Sequence, residues 1–201
     1  MTEDRELVEI PAFREFGKIP RLSREVVVTE KLDGTNAVVY VDQSRGLVLA
    51  GCRTRWITPG KQTDNYGFAA WVKEREASLA AVLGDGTHFG EWWGQGIQRR
   101  YGLTEKRLSL FNVKKWGWLD DSAERAFRVG PDLSQLHVVP VLWRGDFDIT
   151  MIEAALADLK QHGSKAAPGF MDPEGVVVFH SASSTLFKKT LKNDEHKGEN
   201  A

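Results

Sequence analysis

Short runs rich in β-branched residues, separated by turn residues, constrain the fold of this 201-residue chain more than any other feature. They predict eight strands, at residues 24–31, 36–42, 46–50, 87–93, 107–113, 136–143, 174–180 and 185–191. Two segments have apolar residues at helical spacing, one from Phe68 to a stop at Gly84 and one that opens with a capping box at Thr150 and ends near Gly163. Because these helices do not alternate regularly with the strands, the pattern predicts an α+β fold with mainly antiparallel sheets and flanking helices. Pro140 predicts that its strand lies at an edge or contains a bulge.

Composition narrows the class of protein. A hydrophobic share of 41% and a charged share of 27% are ordinary for a globular protein of this length, and no linker or internal repeat divides the chain. The net charge of −1 argues weakly against a nucleic-acid binder, although local basic clusters could still form a patch. Cys52 is the only cysteine, which excludes an internal disulfide and a Cys₄ or Cys₂His₂ zinc site. We therefore expect a reducing compartment, with no signal peptide and no run near the roughly 18 apolar residues of a membrane span.

The stretch VTEKLDGTNAVVYV poses a chemical question, because a lysine stands where the first predicted strand ends. A hairpin between strands 24–31 and 36–42 explains Asp33 and Gly34 as turn residues, but it does not explain Lys31. A free lysine amine titrates near 10.4, so a nucleophilic amine needs burial or nearby cations that offset about 3 pH units. Neighbouring carboxylates act in the opposite direction, so Glu30 and Asp33 must point elsewhere or be offset by a metal. On this segment alone, an exposed lysine beside a turn is the simpler interpretation.

Six segments, in order along the chain, change that balance. KLDGTN resembles the K-x-D-G signature of the covalent nucleotidyltransferases, the superfamily of ATP-dependent ligases and mRNA capping enzymes. CRTRWITP resembles the arginine-bearing segment after that signature, and HFGEWWGQGIQRRYGL resembles the third motif in its RNA ligase form. LSLFNV, EGVVVF and LFKKTLKND are similar to the segment before the fourth motif, the fourth motif and the fifth. The chain therefore resembles a small ATP-dependent RNA ligase of phage or bacterial type, which implies a ligase adenylation fold.

The resemblance implies a reaction in three steps. Lys31 attacks the α-phosphate of ATP and forms lysyl–AMP, AMP passes to the 5′-phosphate of an RNA end, and a 3′-hydroxyl then seals the strand. It also implies Mg²⁺ or Mn²⁺ as the cofactor beside ATP. Two alternatives stay open: a DNA ligase or another polynucleotide nucleotidyltransferase, such as a capping enzyme, and a non-catalytic RNA-binding relative.

The motif positions imply roles for individual residues. The catalytic residues would be Lys31, Lys188 and Glu174, and the cation would be held by Glu174 and Glu91. The nucleotide would contact Glu30, Asn36, Arg53, Glu91, Phe111, Lys188 and Lys189, with Phe111, in mid-strand, stacking on adenine. RNA would contact Arg55, Arg99 and Arg100.

Several of these roles have a competing interpretation. The family usually has two lysines separated by one residue in the fifth motif, and here the second place is Thr190. Lys189 should point to the face of the strand opposite Lys188, although Lys189 or Lys192 could compensate for the missing lysine. Glu91 could instead form a structural salt bridge with an arginine. Arg55 competes with Arg53 because the two would share a strand face, and the basic pair 99–100 is equally compatible with solubility alone.

The resemblance also bears on domains and partners. Family members usually add a C-terminal domain that helps to bind nucleic acid, and 201 residues leave no room for it. We therefore expect one nucleotidyltransferase domain over residues 1–201, with a polar tail from about residue 193 and no C-terminal accessory or OB domain. The expected protein is a cytoplasmic monomer in a bacterial or phage-infected cell. Its partner would be RNA with 5′-phosphate and 3′-hydroxyl ends, without a membrane, and a partner protein could supply additional grip on the RNA.

Overall fold

Two sheets carry the fold in the computed structural model, which describes residues 12–192. The first sheet has the order β10-β9-β1-β8 and consists of β1 (Glu25–Lys31), β8 (Val141–Asp146), β9 (Gly175–His180) and β10 (Thr185–Thr190). The second has the order β4-β3-β2-β5-β6-β7 and consists of β2 (Thr35–Asp42), β3 (Leu47–Gly51), β4 (Trp56–Ile57), β5 (Gly86–Gly94), β6 (Lys106–Leu110) and β7 (Leu136–Val138). Among these strands only β6 and β7 pair in parallel. The predicted α+β class with mainly antiparallel sheets is confirmed.

Five α-helices flank these sheets within the described residues, namely α1 (Phe68–Glu74), α2 (Glu76–Leu83), α3 (Val113–Trp116), α4 (Ser122–Arg128) and α5 (Ile149–His162). The single helix predicted over residues 68–83 is wrong, because the chain breaks at Arg75 into α1 and α2. The predicted start of α5 is wrong by two residues, since Asp148 is the N-cap and its carboxylate accepts the N–H of Thr150 at 2.8 Å. Helix α4 was not predicted because it buries no residue and so lacks an apolar period.

The predicted hairpin between β1 and β2 is wrong. Strand β1 pairs with β8 and β9, whereas β2 pairs with β3 and β5, so each strand has both edges occupied within its own sheet. Residues 32–34, which we call the crossing segment, carry the chain from one sheet to the other. At Gly34 a Cβ atom would lie 2.4 Å from the carbonyl oxygen of Trp92, so only glycine permits this close passage.

Two further predicted strands are shorter than expected. The strand over 136–143 divides at residues 139–140 into β7 and β8, which belong to different sheets. The irregularity predicted at Pro140 is confirmed, since its carbonyl accepts the N–H of Glu30 at 3.0 Å where the β1–β8 register shifts. The strand over 107–113 ends at Leu110, and Asn112 caps α3 by accepting the N–H of Lys115 at 3.1 Å.

Each sheet has its own hydrophobic core, and a third cluster lies where the sheets meet. In the first sheet, valines of β1 and β9 pack against Ile152, Leu156 and Leu159 of α5. In the second sheet, aromatic residues of α1 pack against β5. The third cluster is formed by Leu32, Trp93, Tyr101, Val139 and Ala167, and it joins the crossing segment to both sheets.

The helices that the structure describes are all too short or too polar to cross a membrane. The polar tail predicted from residue 193 onward lies outside the described residues.

Candidate active site

Lys31 is the last residue of β1 and borders a cavity of about 560 Å³. The cavity lies where the chain crosses from the first sheet to the second. Its walls come from five parts of the fold: residues 31–36, the turn at 52–55 between β3 and β4, Ile57 of β4, the loop before α1, and Glu91 of β5.

The Lys31 amine contacts a carboxylate of the neighbouring strand. Its Nζ lies 2.6 Å from Oε2 of Glu174, the residue that precedes β9. The β1–β9 register places Gly175 directly opposite Lys31, which brings the two side chains together. Oε2 is buried and accepts no hydrogen bond from the described residues, because the contact with Lys31 is an ion pair without hydrogen-bond geometry. This oxygen therefore keeps unused capacity to accept a proton or to bind a cation.

Glu91 provides a second carboxylate beside Lys31. It lies opposite Asn36 in the β2–β5 pairing, and its Oε1 accepts the N–H of Gly34 at 3.1 Å. Burial raises the pKa of Glu91 to about 7, and the charges of Glu174 and Asp33 act in the same direction. Within residues 12–192, Glu91 forms no salt bridge, so the alternative of a structural arginine pair is not what holds it.

Positive charge reaches the cavity from the turn between β3 and β4. Arg53 and Arg55 both line the cavity, but they lie in this turn and not on a strand face as expected. Arg53 Nε donates to Oδ1 of Asn36 at 3.0 Å. Neither guanidinium contacts a carboxylate of the described residues, so both charges remain available to an anion.

The cavity walls also include residues to which the sequence analysis assigned no role, namely Thr35, Cys52, Thr54, Ile57, Asp64 and Asn65. Of these, Asp64 and Asn65 lie outside all six motif segments. The Asp64 carboxylate accepts the N–H groups of Ala69 and Ala70 at 2.8 and 3.1 Å, which fixes the start of α1 beside the cavity. An aspartate shortly before a helix is a sequence signal for such a cap, so this residue could have been found.

Glu30 is not brought to the cavity. Because neighbouring residues of a strand point to opposite faces, its carboxylate points away from Lys31 and is 1% exposed. It accepts hydrogen bonds from the hydroxyl of Ser164 at 2.5 Å and from the N–H groups of Lys165 and Ala166 at 2.8 and 2.9 Å. Burial raises the pKa of Glu30, while these three donors act in the opposite direction. Its observed role is to hold the loop after α5.

Strand β10 places its two central lysines on opposite faces, as predicted. Lys188 is in register with Val177 of β9, whose side chain is on the face of Lys31. Lys188 is exposed and has no ion-pair or hydrogen-bond partner in the described part of the chain. Lys189 instead binds the carboxylate of Glu153 on α5. The structure therefore leaves Lys188 available on the lysine face and engages Lys189 on the other.

Phe111 is also not brought to the cavity. It lies just beyond the end of β6, not in mid-strand, and its side chain is 40% exposed. It is absent from the cavity walls.

The basic pair at 99–100 divides between two environments. Arg99 donates through Nε to Oδ2 of Asp33 at 2.9 Å and through Nη1 to Oδ2 of Asp172 at 2.8 Å, so it is occupied by carboxylates of the protein. Lys192 also contacts Asp172, at 2.6 Å, and its hydrogen bond and the charge of Arg99 lower the pKa of Asp172. Arg100 is exposed, with a left-handed φ of 59°. An RNA contact of Arg100 stays a prediction.

Solved structures resemble this fold. The Naegleria gruberi RNA ligase with PPi matches with a TM-score of 0.55 and 18% identity, over 90% of this chain and 57% of that chain. A variant of the same ligase with ATP and Mn matches with a TM-score of 0.54 and 17% identity, and a variant with AMP and Mn with 0.55 and 16%. Both cover 84% of this chain and 50% of that chain, so this chain spans about half the length of the solved chains.

The comparison of sequences gives a more specific result than the likeness of folds. No curated protein matches the chain. The model of the family described as RNA ligase, however, matches residues 24–192, which include both sheets and every residue of the cavity walls. The chain therefore belongs to the RNA ligase family.

Proposed function

We propose that this protein is an ATP-dependent RNA ligase and that Lys31 forms its covalent intermediate with AMP. The observation that carries the proposal is the position of the Lys31 amine, which borders the cavity 2.6 Å from the buried Oε2 of Glu174. A surface lysine beside a hairpin turn would have neither the cavity nor the partner. Membership of the RNA ligase family supports the same conclusion.

The first step forms a bond between Nζ of Lys31 and the α-phosphorus of ATP and breaks the bond to the pyrophosphate oxygen. The amine must lose a proton, and Oε2 of Glu174 lies close enough to accept it. The phosphoramidate no longer carries the lysine charge, so Glu174 loses its ion-pair partner as the intermediate forms. Pyrophosphate leaves the α-phosphate, in line with the likeness to the Naegleria gruberi RNA ligase with PPi.

Cationic side chains can stabilise the charge that develops on the phosphates. Arg53 and Arg55 line the cavity without carboxylate partners among the described residues, and Asn36 orients Arg53. Lys188 lies on the same sheet face as Lys31 and has no ion-pair partner among the described residues. We assign the phosphate contacts to these four residues, because donors fixed before the reaction stabilise developing charge most effectively.

The two glutamates fit a divalent cation, Mg²⁺ or Mn²⁺. Among residues 12–192 no cluster of three or more acidic, histidine or cysteine side chains could hold a metal. Mg²⁺ is commonly bound by only one or two carboxylates together with water and substrate phosphates. Oε2 of Glu174, which accepts no hydrogen bond from the described residues, and the nearby carboxylate of Glu91 match that requirement. The Naegleria gruberi structures with Mn support the same assignment. When bound, the cation supplies Lewis-acid stabilisation of phosphate charge.

The remaining steps define the substrate. AMP passes from Lys31 to the 5′-phosphate of an RNA end, and a 3′-hydroxyl displaces AMP to form the phosphodiester. Family membership supports RNA as the substrate. Reaction in the cytoplasm, the monomeric state and a partner protein that grips RNA stay predictions.

Incubation of the purified protein with α-labelled ATP or GTP and Mg²⁺ tests the first step. We expect labelling by ATP on a peptide containing Lys31, and no labelling of Lys31→Arg, because no neighbouring amine can replace a nucleophile fixed by geometry. Stronger labelling by GTP would indicate a capping-type enzyme. No labelling by either nucleotide would indicate a non-catalytic relative.

A second assay tests the substrate. The labelled protein is offered 5′-phosphorylated RNA and DNA of the same sequence, with and without a complementary strand. We expect the AMP to move to the RNA 5′-end and a sealed product to appear with RNA. Preferential transfer to DNA would contradict an RNA ligase.

A further inference from the structure

A closed ring of charged residues connects the reactive lysine to an arginine in a loop between two strands of the second sheet. Lys31 contacts Glu174 at 2.6 Å, and Arg99 contacts Asp33 at 2.9 Å and Asp172 at 2.8 Å. Asp33 follows Lys31 by two positions, and Asp172 precedes Glu174 by two positions. Two short backbone stretches therefore complete the circuit, and we call these five residues the charged ring.

The ring draws on both sheets. Lys31 ends β1 and Glu174 precedes β9, which are neighbours in the first sheet. Arg99 lies in the loop between β5 and β6, which are neighbours in the second sheet. The same loop holds the backbone of the crossing segment, because the hydroxyl of Tyr101 accepts the N–H of Asp33 at 2.8 Å. Arg99 thus links the loop of the second sheet to two segments, the one that follows Lys31 and the one that precedes Glu174.

The contacts of Arg99 are strong for their position. The side chain is 23% exposed, and besides the two carboxylates its Nη1 donates to the carbonyl oxygen of Asp172 at 3.0 Å. Ionised donor–acceptor pairs that are partly desolvated are roughly twice as strong as neutral hydrogen bonds. Loss of the guanidinium would leave Asp33 and part of Asp172 uncompensated near Lys31. Asp33 would then no longer be held by Arg99, and Asp172 would keep, among the described residues, only its contact with Lys192 at 2.6 Å.

We infer that Arg99 is a positioning residue for lysyl–AMP formation, which acts through Asp33 and Asp172 to fix Lys31 and Glu174 relative to each other. The inference rests on the proposed function of Lys31. It replaces the RNA contact expected from the sequence, and it agrees with the absence of Arg99 from the walls of the cavity.

Single-turnover formation of lysyl–AMP without RNA, measured over a range of ATP concentrations, tests this role. For Arg99→Met we expect the maximal rate to fall roughly 10- to 100-fold, because small misplacements of reacting groups have effects of this size. The ATP concentration that gives half the maximal rate should stay unchanged, since Arg99 does not line the cavity. Arg99→Lys, which keeps one charged contact, should recover part of the rate.

A double variant shows whether the effect of Arg99 passes through Asp172, and a control variant shows whether it is specific to this arginine. The double variant Arg99→Met, Asp172→Asn should be no slower than the slower single variant, because both changes break the same link. Arg45→Met is the matched control: it removes an arginine that contacts Asp42 at 2.6 Å, outside the cavity, and should keep the wild-type rate.

Hydrogen exchange gives a readout that does not depend on activity. In Arg99→Met, amide exchange should accelerate in peptides covering 28–36 and 168–176, while β3 should keep its protection. Unchanged exchange in both peptides, or an unchanged maximal rate, overturns the inference. A higher ATP concentration for half the maximal rate would indicate that Arg99 contacts the nucleotide. A defect confined to RNA ligation would indicate that Arg99 contacts RNA. Either result also overturns the inference. If wild-type protein forms no lysyl–AMP, the proposed function is wrong, and hydrogen exchange alone decides whether Arg99 fixes the two segments.

Discussion

At the scale of single residues, the two glutamates beside Lys31 differ in what satisfies them. Glu174 is balanced by the lysine charge, and its buried Oε2 has no hydrogen bond from residues 12–192. Glu91 has the N–H of Gly34 but no cation in contact among the described residues, so burial dominates its pKa. In the proposed reaction, Glu174 loses the charge of Lys31 that balances it. The protonation of Glu91, whose pKa is raised to about 7, changes near neutral pH.

We expect Glu91→Gln to change the pH dependence of stability. In the fold the pKa of Glu91 is raised from 4.5 to about 7, so between these values the folded state binds more protons than the unfolded state. Its contribution to stability is complete below about pH 4.5 and is lost as the pH rises through about 7. Between about pH 5 and pH 8, chelator-treated wild-type protein should lose about 1–3 kcal/mol of unfolding free energy relative to the variant. Urea unfolding at several pH values measures this, and parallel curves for the two proteins would contradict it.

At the scale of elements, β10 separates two lysines that are adjacent in sequence. Its antiparallel pairing with β9 puts Lys188 on the face of Lys31, while Lys189 contacts Glu153 of α5. The period of two along a strand thus gives the two lysines different tasks. Lys188 has no ion-pair partner within residues 12–192 and can contact a phosphate, whereas Lys189 binds the edge strand to α5.

We expect Lys188→Ala to slow lysyl–AMP formation by about 10²- to 10³-fold, the typical effect of one lost donor to a developing oxyanion. Lys189→Ala removes a largely exposed ion pair, so it should change the rate little and the unfolding free energy by less than about 1 kcal/mol. Single-turnover labelling of both variants with α-labelled ATP measures the difference. A larger defect in Lys189→Ala would show that the face assignment is wrong.

The crossing segment is the second element with a clear test. A Cβ at Gly34 would lie 2.4 Å from Trp92 O and 2.7 Å from Trp93 Cβ, so Gly34→Ala should destabilise the fold by about 2–4 kcal/mol. Gly130→Ala is the control, because a Cβ there meets nothing within 4 Å and φ is −61°. Thermal unfolding compares the two, and equal melting temperatures would contradict the close passage.

At the scale of the whole molecule, two sheets with separate cores share one small cluster at their junction. Leu32 belongs to that cluster and directly follows Lys31, whereas Leu159 lies in the core between the first sheet and α5. The two leucines are 5% and 0% exposed, so both contribute to stability by burial. They differ in that Leu32 is bonded to Lys31 through the backbone, whereas Leu159 belongs to a separate core.

We therefore expect Leu32→Ala and Leu159→Ala to lower the unfolding free energy by a similar amount, about 2–5 kcal/mol. Only Leu32→Ala should also slow lysyl–AMP formation well below the melting temperature, since the space left by the leucine side chain loosens the segment that carries Lys31. Urea unfolding and single-turnover labelling at one low temperature separate the two effects. Equal rates in both variants would show that the junction cluster does not position the lysine.

The sequence predicted what is encoded locally, and the structure adds what long-range pairing decides. Strand composition identified most strands, and the ordered motifs identified Lys31, Glu91 and Glu174 as neighbours. The Asp33-Gly34 turn signal was misleading, because both edges of β1 and β2 are occupied by strands distant in sequence. Arg99 looked like an exposed arginine for a similar reason, since its partner Asp172 is 73 residues away. No local pattern indicates which carboxylate will meet an arginine after folding.

The short crossing between the sheets limits how substrates can move. Lys31 ends β1 in the first sheet and Thr35 begins β2 in the second, and only three residues lie between them. A stretch of this length reaches at most about 14 Å, so the walls cannot separate widely at the nucleophile. In the proposed reaction, ATP would therefore meet Lys31 in a cavity whose walls stay close together at the nucleophile.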